Sequence, residues 1–285
     1  RGGKHTVTWG VGYFFSPADI INLERIDPED PEAERVGPVN LRAQLPFGAN
    51  NAYLYILPPA GTEQWPALAP RMEVVLGGFE LGAASFWRYE EDPAFMLTAE
   101  GTVADFSVFG EAVLRTSNER RYLRETAVSI EHPLGLEVFT RDGAVAELTA
   151  GFSWAYSDVE GRWNPSVFAQ YLYNGDGYED PSVLLDNAAA VAGLVGAGEL
   201  AISDLASPGM HYAALSASLR SILDSDLSSS LLWYANLSDM SGRLSSSLSY
   251  RYDALSFSVS AAWNYGPEAS EFASEGESLR ISLNA

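Results

Sequence analysis

Three histidines, His5, His132 and His211, are the only imidazoles in the chain. Nucleophilic or acid–base catalysis would need one of them beside a nucleophile and an orienting carboxylate. The pattern offers no such arrangement. His211 shares a side with Ala213, Leu215, Ala217 and Leu219, and His5 shares one with Val7 and Trp9. His132 precedes Pro133 in a long connection. No catalytic residue is assigned, and the chain is not read as an enzyme. Cysteine is absent, which removes thiolate metal sites and disulfides. Glu29, Asp30 and Glu32 crowd together without the spacing of an EF-hand loop. A solvated acidic loop is the plainer reading, and no metal site is assigned. The GLVGAG stretch at Gly193 to Gly198 has the wrong spacing for a phosphate-binding loop and no following lysine. No cofactor is implied.

The charged residues that do form a pattern lie within alternating stretches. In Arg243 to Gly266, Leu244, Leu248 and Tyr250 alternate with Arg243, Ser245, Ser247, Ser249 and Arg251. After Asp253-Ala254 the pattern resumes as Leu255, Phe257, Val259, Ala261 and Trp263 against serines. Such a period of two marks a β-strand with one apolar and one polar face. Reading the whole chain this way places Glu73, Glu80, Glu100, Glu111 and Glu147 on the polar side of one group of strands. Lys4, Arg42, Arg243, Arg251 and Arg280 fall on the polar side of another. Arg88 and Arg115 lie near the ends of the acidic strands, where local pairing is expected. If first and last strands meet, an acidic wall faces a basic one, a charge arrangement that tunes ion and solute selectivity.

The elements that must position these residues number about fourteen strands, with ends uncertain by a few residues. The first is expected at 4–14, the last at 278–285. Links alternate between short and long: tight at 47–50, Gly77-Gly78, Ala104 and Asp253, long at 15–38, 117–143 and 175–209. The tight link at 239–241 is the exception. Ser16 to Arg25 reads as a short helix, with Ser16 as cap and Pro17 at its first position. Asp180 to Ala206 reads as a helix within an extracellular loop, or as a loop folding into the lumen to narrow it.

Composition narrows the class. The chain has 285 residues, 47% hydrophobic, with formal net charge −21 and mean hydropathy −0.05. Such acidity argues against nucleic-acid binding. No apolar run is long enough for a transmembrane helix. The abrupt start RGGKHTVTWG reads as a mature or trimmed chain. A soluble β-sandwich or lipocalin-like barrel would bury the apolar face and wet the polar one. A membrane barrel does the reverse. Three features favour the membrane barrel: long strands, a polar face poor in lysine, and alternating link lengths. The expectation is a single all-β domain over 1–285, an antiparallel transmembrane β-barrel with long loops on one side.

The stretch HTVTWGVGYFFSPADIINLERIDPEDPEAERVGPVNLRAQLPF resembles the early hairpin of porin-like outer-membrane β-barrels of diderm bacteria, in outline the alginate and carbohydrate export families. The resemblance covers some forty residues. It implies an integral outer-membrane location among outer-membrane lipids, and a channel for small polar solutes or ions, but names no substrate. Many such barrels end in an aromatic residue; this chain ends RISLNA, a departure that reads as an atypical or shortened end. The alternative expectation is a plugged structural or surface barrel whose acidic loops bind a partner or divalent cations.

Overall fold

The computed structural model describes the chain except residues 1, 5, 23–25, 34, 36, 60–64, 119, 131, 161, 254, 274–277 and 285. It is mostly β and antiparallel. Two compact units are present: one of Arg1–Ser117, Ala144–Ala155 and Phe168–Leu172, the other of Asn118–Gly143, Tyr156–Val167 and Tyr173–Ala285.

In the first unit, β1 (Gly2–Lys4), β2 (Val39–Phe47), β3 (Asn50–Leu57), β4 (Ala67–Leu76), β5 (Phe79–Arg88), β6 (Ala94–Val103) and β7 (Phe106–Arg115) pair in chain order. The hairpin β8 (Arg121–Glu125) and β9 (Leu136–Thr140) belongs to the second unit. β10 (Val145–Ala155) then pairs with β7. β11 (Asn164–Asn174) contributes Phe168–Leu172 to the first unit. In the second unit, β12 (His211–Arg220), β13 (Leu227–Asn236), β14 (Ser241–Tyr252), β15 (Leu255–Tyr265) and β16 (Ser278–Asn284) pair in order. Among the described residues no pairing joins β1 to β16. The tight turns fall where the sequence puts them. At Gly77-Gly78 both φ angles are positive, 59° and 86°, as a two-residue hairpin of the primed type requires.

The register resolves which face is covered. On the first unit's sheet Arg71, Gly82, Thr98, Glu111, Glu147 and Thr149 lie on one face. All six are buried. Their strand neighbours on the other face are apolar and open: Leu68 is 48% exposed and Leu97 60%, against 8% for Arg71 and 4% for Glu111. The second unit repeats the open apolar face. Leu248, Phe257, Val259 and Trp263 are exposed on one side. On the other, serine hydroxyls pair across strands, Ser228 with Ser249 and Ser230 with Ser247, each at 2.7 Å. In the first unit the sheet is thus turned inside out relative to a water-soluble sheet, where the apolar face is the hidden one; in the second the apolar face is open and the serine face is half-buried, with Ser230 exposed.

Two expectations at the N-terminus fail. Among the described residues, only Lys4 of the expected strand 4–14 lies in a strand, at the end of β1, and the apolar residues placed on its outer face, Val7 and Trp9, are buried at 4% and 1% exposure. His5 lies outside the described residues. Ser16 to Asn22 forms turns rather than a helix. Its polar side chains bond elsewhere. The Val7 amide donates to Asn22 Oδ1 at 3.1 Å, and the Trp9 amide to Asp19 Oδ1 at 3.3 Å. Side chains that bind distant backbone compete with the helix ladder.

In the second unit the segment from Asp180 follows the helical of the two readings: α1 (Ser182–Asp186), α2 (Ala188–Ala197) and a 3-10 turn at Ile202–Leu205. The β8–β9 hairpin packs with these helices through Tyr122, Leu123, Leu136, Tyr178, Leu184 and Val191. Tyr122 donates to Asp176 Oδ1 at 2.5 Å and accepts from Asn118 Nδ2 at 2.7 Å. Burial, then the bond to Asp176, push its phenol up to about 12. In the unfolded chain the proton leaves near the ordinary value of about 10. The folded form is therefore the tighter proton binder, and this stabilisation is complete below pH about 10 and lost as pH rises through about 12. Other phenols, Tyr178 among them, are raised as well, so the check is a difference. An absorbance titration of tyrosinate should lose one phenol's amplitude in that upper window in Tyr122→Phe, and an unchanged amplitude there would refute the assignment.

Candidate functional site: the covered polar face of the first unit

The buried polar face of the first unit is covered by the chain's own N-terminal segment. Val7, Trp9, Ala18 and Ile21 pack against Tyr55, Leu57, Ala67, Ala69, Met96 and Val113, which all point from that face. Polar contacts then fix the segment at three places.

Glu111, on β7, is the main one. It accepts from the amides of Val11 at 2.6 Å, Gly12 at 2.5 Å and Ala18 at 2.9 Å, and from the Ser16 hydroxyl at 3.1 Å. Gln170, on β11, is the second. Its Oε1 accepts from the amides of Tyr13, Phe14 and Phe15, at 2.7 Å for Phe14. Its Nε2 donates to Phe15 carbonyl at 2.6 Å and to Thr149 Oγ1 at 2.7 Å. Arg71, on β4, is the third, donating to the Trp9 carbonyl at 2.6 Å while holding Glu73 at 2.9 Å. Five successive amides, Val11 to Phe15, are therefore satisfied by two side chains rather than by a neighbouring strand. Buried backbone donors need partners, and here the partners are supplied through space.

Glycine makes the wrap around Glu111 feasible. A Cβ on Gly10 would overlap the Ser16 hydroxyl and approach Glu111 Oε1 to 2.7 Å, and one on Gly12 would overlap the Phe15 carbonyl. Gly10→Val should therefore release the segment while leaving the strands paired. Limited proteolysis reads this directly: bonds between Trp9 and Ala18 resist cleavage in the native protein and are cut in the variant. Equal resistance in both would show that the segment does not depend on this close approach.

The remaining charged positions divide by place. Glu80 and Glu100 face each other across β5 and β6 and are exposed. Glu73 pairs with Arg71, Arg88 with Glu91 at 2.8 Å, and Arg115 with Glu147. The expected local pairing of Arg88 and Arg115 is thus present. Arg42 bonds Gln44 at 2.8 Å and lies 5.3 Å from the Tyr53 ring centre. Arg243 and Arg251 belong to the second unit, Arg243 half-buried and Arg251 exposed. The side chains of Lys4 and Arg280 lie outside the described residues. Arg71 was missed at the sequence level, although it falls in register with Glu73 on the polar side. Gln170 falls on the polar side of its alternating stretch. Nothing in its local sequence announces three backbone partners more than 150 residues away. Among the described residues no cluster of three or more metal-ligating side chains occurs.

What these features define as a class is a β-rich chain whose strands leave their apolar faces open, with the polar face covered in the first unit. No protein-family model matches the chain, and no curated protein matches it.

Proposed function

We propose that the chain is an integral outer-membrane protein whose ladders complete a transmembrane β-barrel of about fourteen strands, and that it conducts small polar solutes or ions along its polar face. The reversed burial of the two sheet faces carries this reading. Exposed apolar patches above a few hundred Å² are rare on monomeric soluble proteins, and a hydrocarbon environment removes their cost. Glu73, Glu80, Glu100, Arg42 and Arg71 then border the route in the first unit, with Arg243 and Arg251 in the second.

The N-terminal segment favours a specific form of this function: a barrel closed at rest by its own plug. A permanently plugged structural or surface barrel is the second reading, favoured by the same segment. Conductance in a planar bilayer under a salt gradient separates them. Discrete steps with ion selectivity support a conduit. Insertion as heat-modifiable β-structure without conductance, in the native protein and in a plug-released variant alike, sinks it.

A further inference from the structure

In the second unit the polar face is dry at one end and wet further along. Tyr212, Asn236 and Ser241 form one cross-strand row on it, in alternation with Ser230 and Ser247. All three are buried, Ser241 at 0% exposure. Further along the same face Ser230 and Arg251 are exposed. The dry end lies under residues 266–273 of the link between β15 and β16, which fold back onto the sheet. Glu271 accepts from the Tyr212 hydroxyl at 2.9 Å and from Asn236 Nδ2 at 2.8 Å. Its amide donates to Asp239 Oδ2 at 2.8 Å, and the Phe272 amide to the Ser241 hydroxyl at 3.4 Å. The buried Phe272 ring meets Tyr234 edge-on, with 5.1 Å between centres. Tyr212 also accepts from the Gly209 amide at 2.8 Å, so Ser241 is the member of the row that reports on the link.

Four hydrogen bonds and one ring contact hold this cover. Segments that open locally are those with few buried apolar contacts. The groups it would uncover are hydroxyls, an amide and carboxylates, which water satisfies in turn. Gly266, with φ at 146°, is where the link leaves β15. A Cβ there would come within 2.5 Å of Ser241 Cβ and Ser270 Oγ, so the docked position depends on glycine. We propose that residues 266–273 are a second closing element, a strap docked on the second unit's polar face through Glu271 and released separately from the N-terminal segment. The proposal rests on the reading of that face as part of a conduit.

The chain has no cysteine, so one introduced thiol reports on the strap without needing conduction. Ser241→Cys in the full chain, in lipid nanodiscs, is reacted with a sulfonated maleimide, and Ser230→Cys on the same face is the open control. The Ser241→Cys thiol should react at least about tenfold more slowly than the control. Adding Glu271→Ala, which removes the acceptor for two anchors, should speed it at least about tenfold. Gly266→Val should do the same by steric displacement, should Glu271→Ala fail to fold as heat-modifiable β-structure. In a Glu111→Ala background either strap variant should also raise single-channel conductance. A Ser241→Cys thiol that reacts no faster in either variant overturns the strap. Faster labelling with unchanged conductance, in a Glu111→Ala protein that conducts, overturns its closing role and leaves the conduit standing. If Glu111→Ala never conducts, the conduit reading fails and the closing role fails with it.

Discussion

Glu111→Ala should turn a protein that conducts rarely into one that conducts most of the time. The carboxylate holds three amides and a hydroxyl of the N-terminal segment. Hydrogen bonds to charged groups contribute about 1.5–3 kcal/mol each, and buried donors left without partners cost a further 1–3 kcal/mol. These terms are not additive, but a loss of about 3 kcal/mol in docking is a conservative sum, and it raises the released population about 100-fold. Trp9 helps the release, since its buried indole N–H has no hydrogen-bond partner among the described residues. Open probability in single-channel records is the measurement. Glu111→Gln should fall between, because an amide oxygen accepts the same bonds without the charge. An Ala variant that conducts no more than native protein, while proteolysis shows its segment released, would mean that the segment is not what closes the route.

The second large effect concerns the opposite face. Leu97 is 60% exposed on β6, next to Thr98 at 7%. In water, an exposed leucine changed to arginine shifts stability by about 0.5 kcal/mol or less. Facing lipid near the bilayer midplane, the same change costs about 2–4 kcal/mol. Leu97→Arg, unfolded by denaturant from liposomes, should lose the larger amount, and Leu248→Arg should match it in the second unit. A loss within about 0.5 kcal/mol at both sites would show that these faces do not meet lipid, and the outer-membrane reading would go with it.

The strands and their polarity are legible in the sequence because both depend on local alternation. Arg243 to Trp263 shows it most plainly: the serine side and the Leu/Phe/Val/Trp side are the two observed faces, paired residue for residue across β14 and β15. The tight turns are equally local, set by Gly77-Gly78 and Ala104-Asp105. Which face is hidden is not local, since period two fits either solvent. The N-terminal segment misleads for a related reason. Thr6 to Tyr13 alternates like a strand, but its amides are captured by Glu111 and Gln170, whose proximity is a property of the folded sheet. Gly10 and Gly12 were the available signal, because glycine inside a strand pattern often marks a close backbone approach. Ser16 to Asn22 opens with helix-start residues, but Ser16 donates to Glu111, and Asp19 and Asn22 accept from the amides of Trp9 and Val7. The β8–β9 hairpin sits inside a stretch expected to be one long loop, and its five-residue strands give too short a pattern to stand out.

The partners of the N-terminal segment also set an order of events. Val11 waits for a residue 100 positions later, and Tyr13 for one 157 positions later. Contacts so distant along the chain are slow to form, because the intervening loop must first be closed. Val11 to Phe15 are synthesised before these partners yet reach their native place only after them, and their five amides stay hydrated until β7, β10 and β11 have assembled around them. A folding experiment should then resolve two phases, sheet formation followed by a later burial of Trp9, and the second phase alone should be missing in Glu111→Ala.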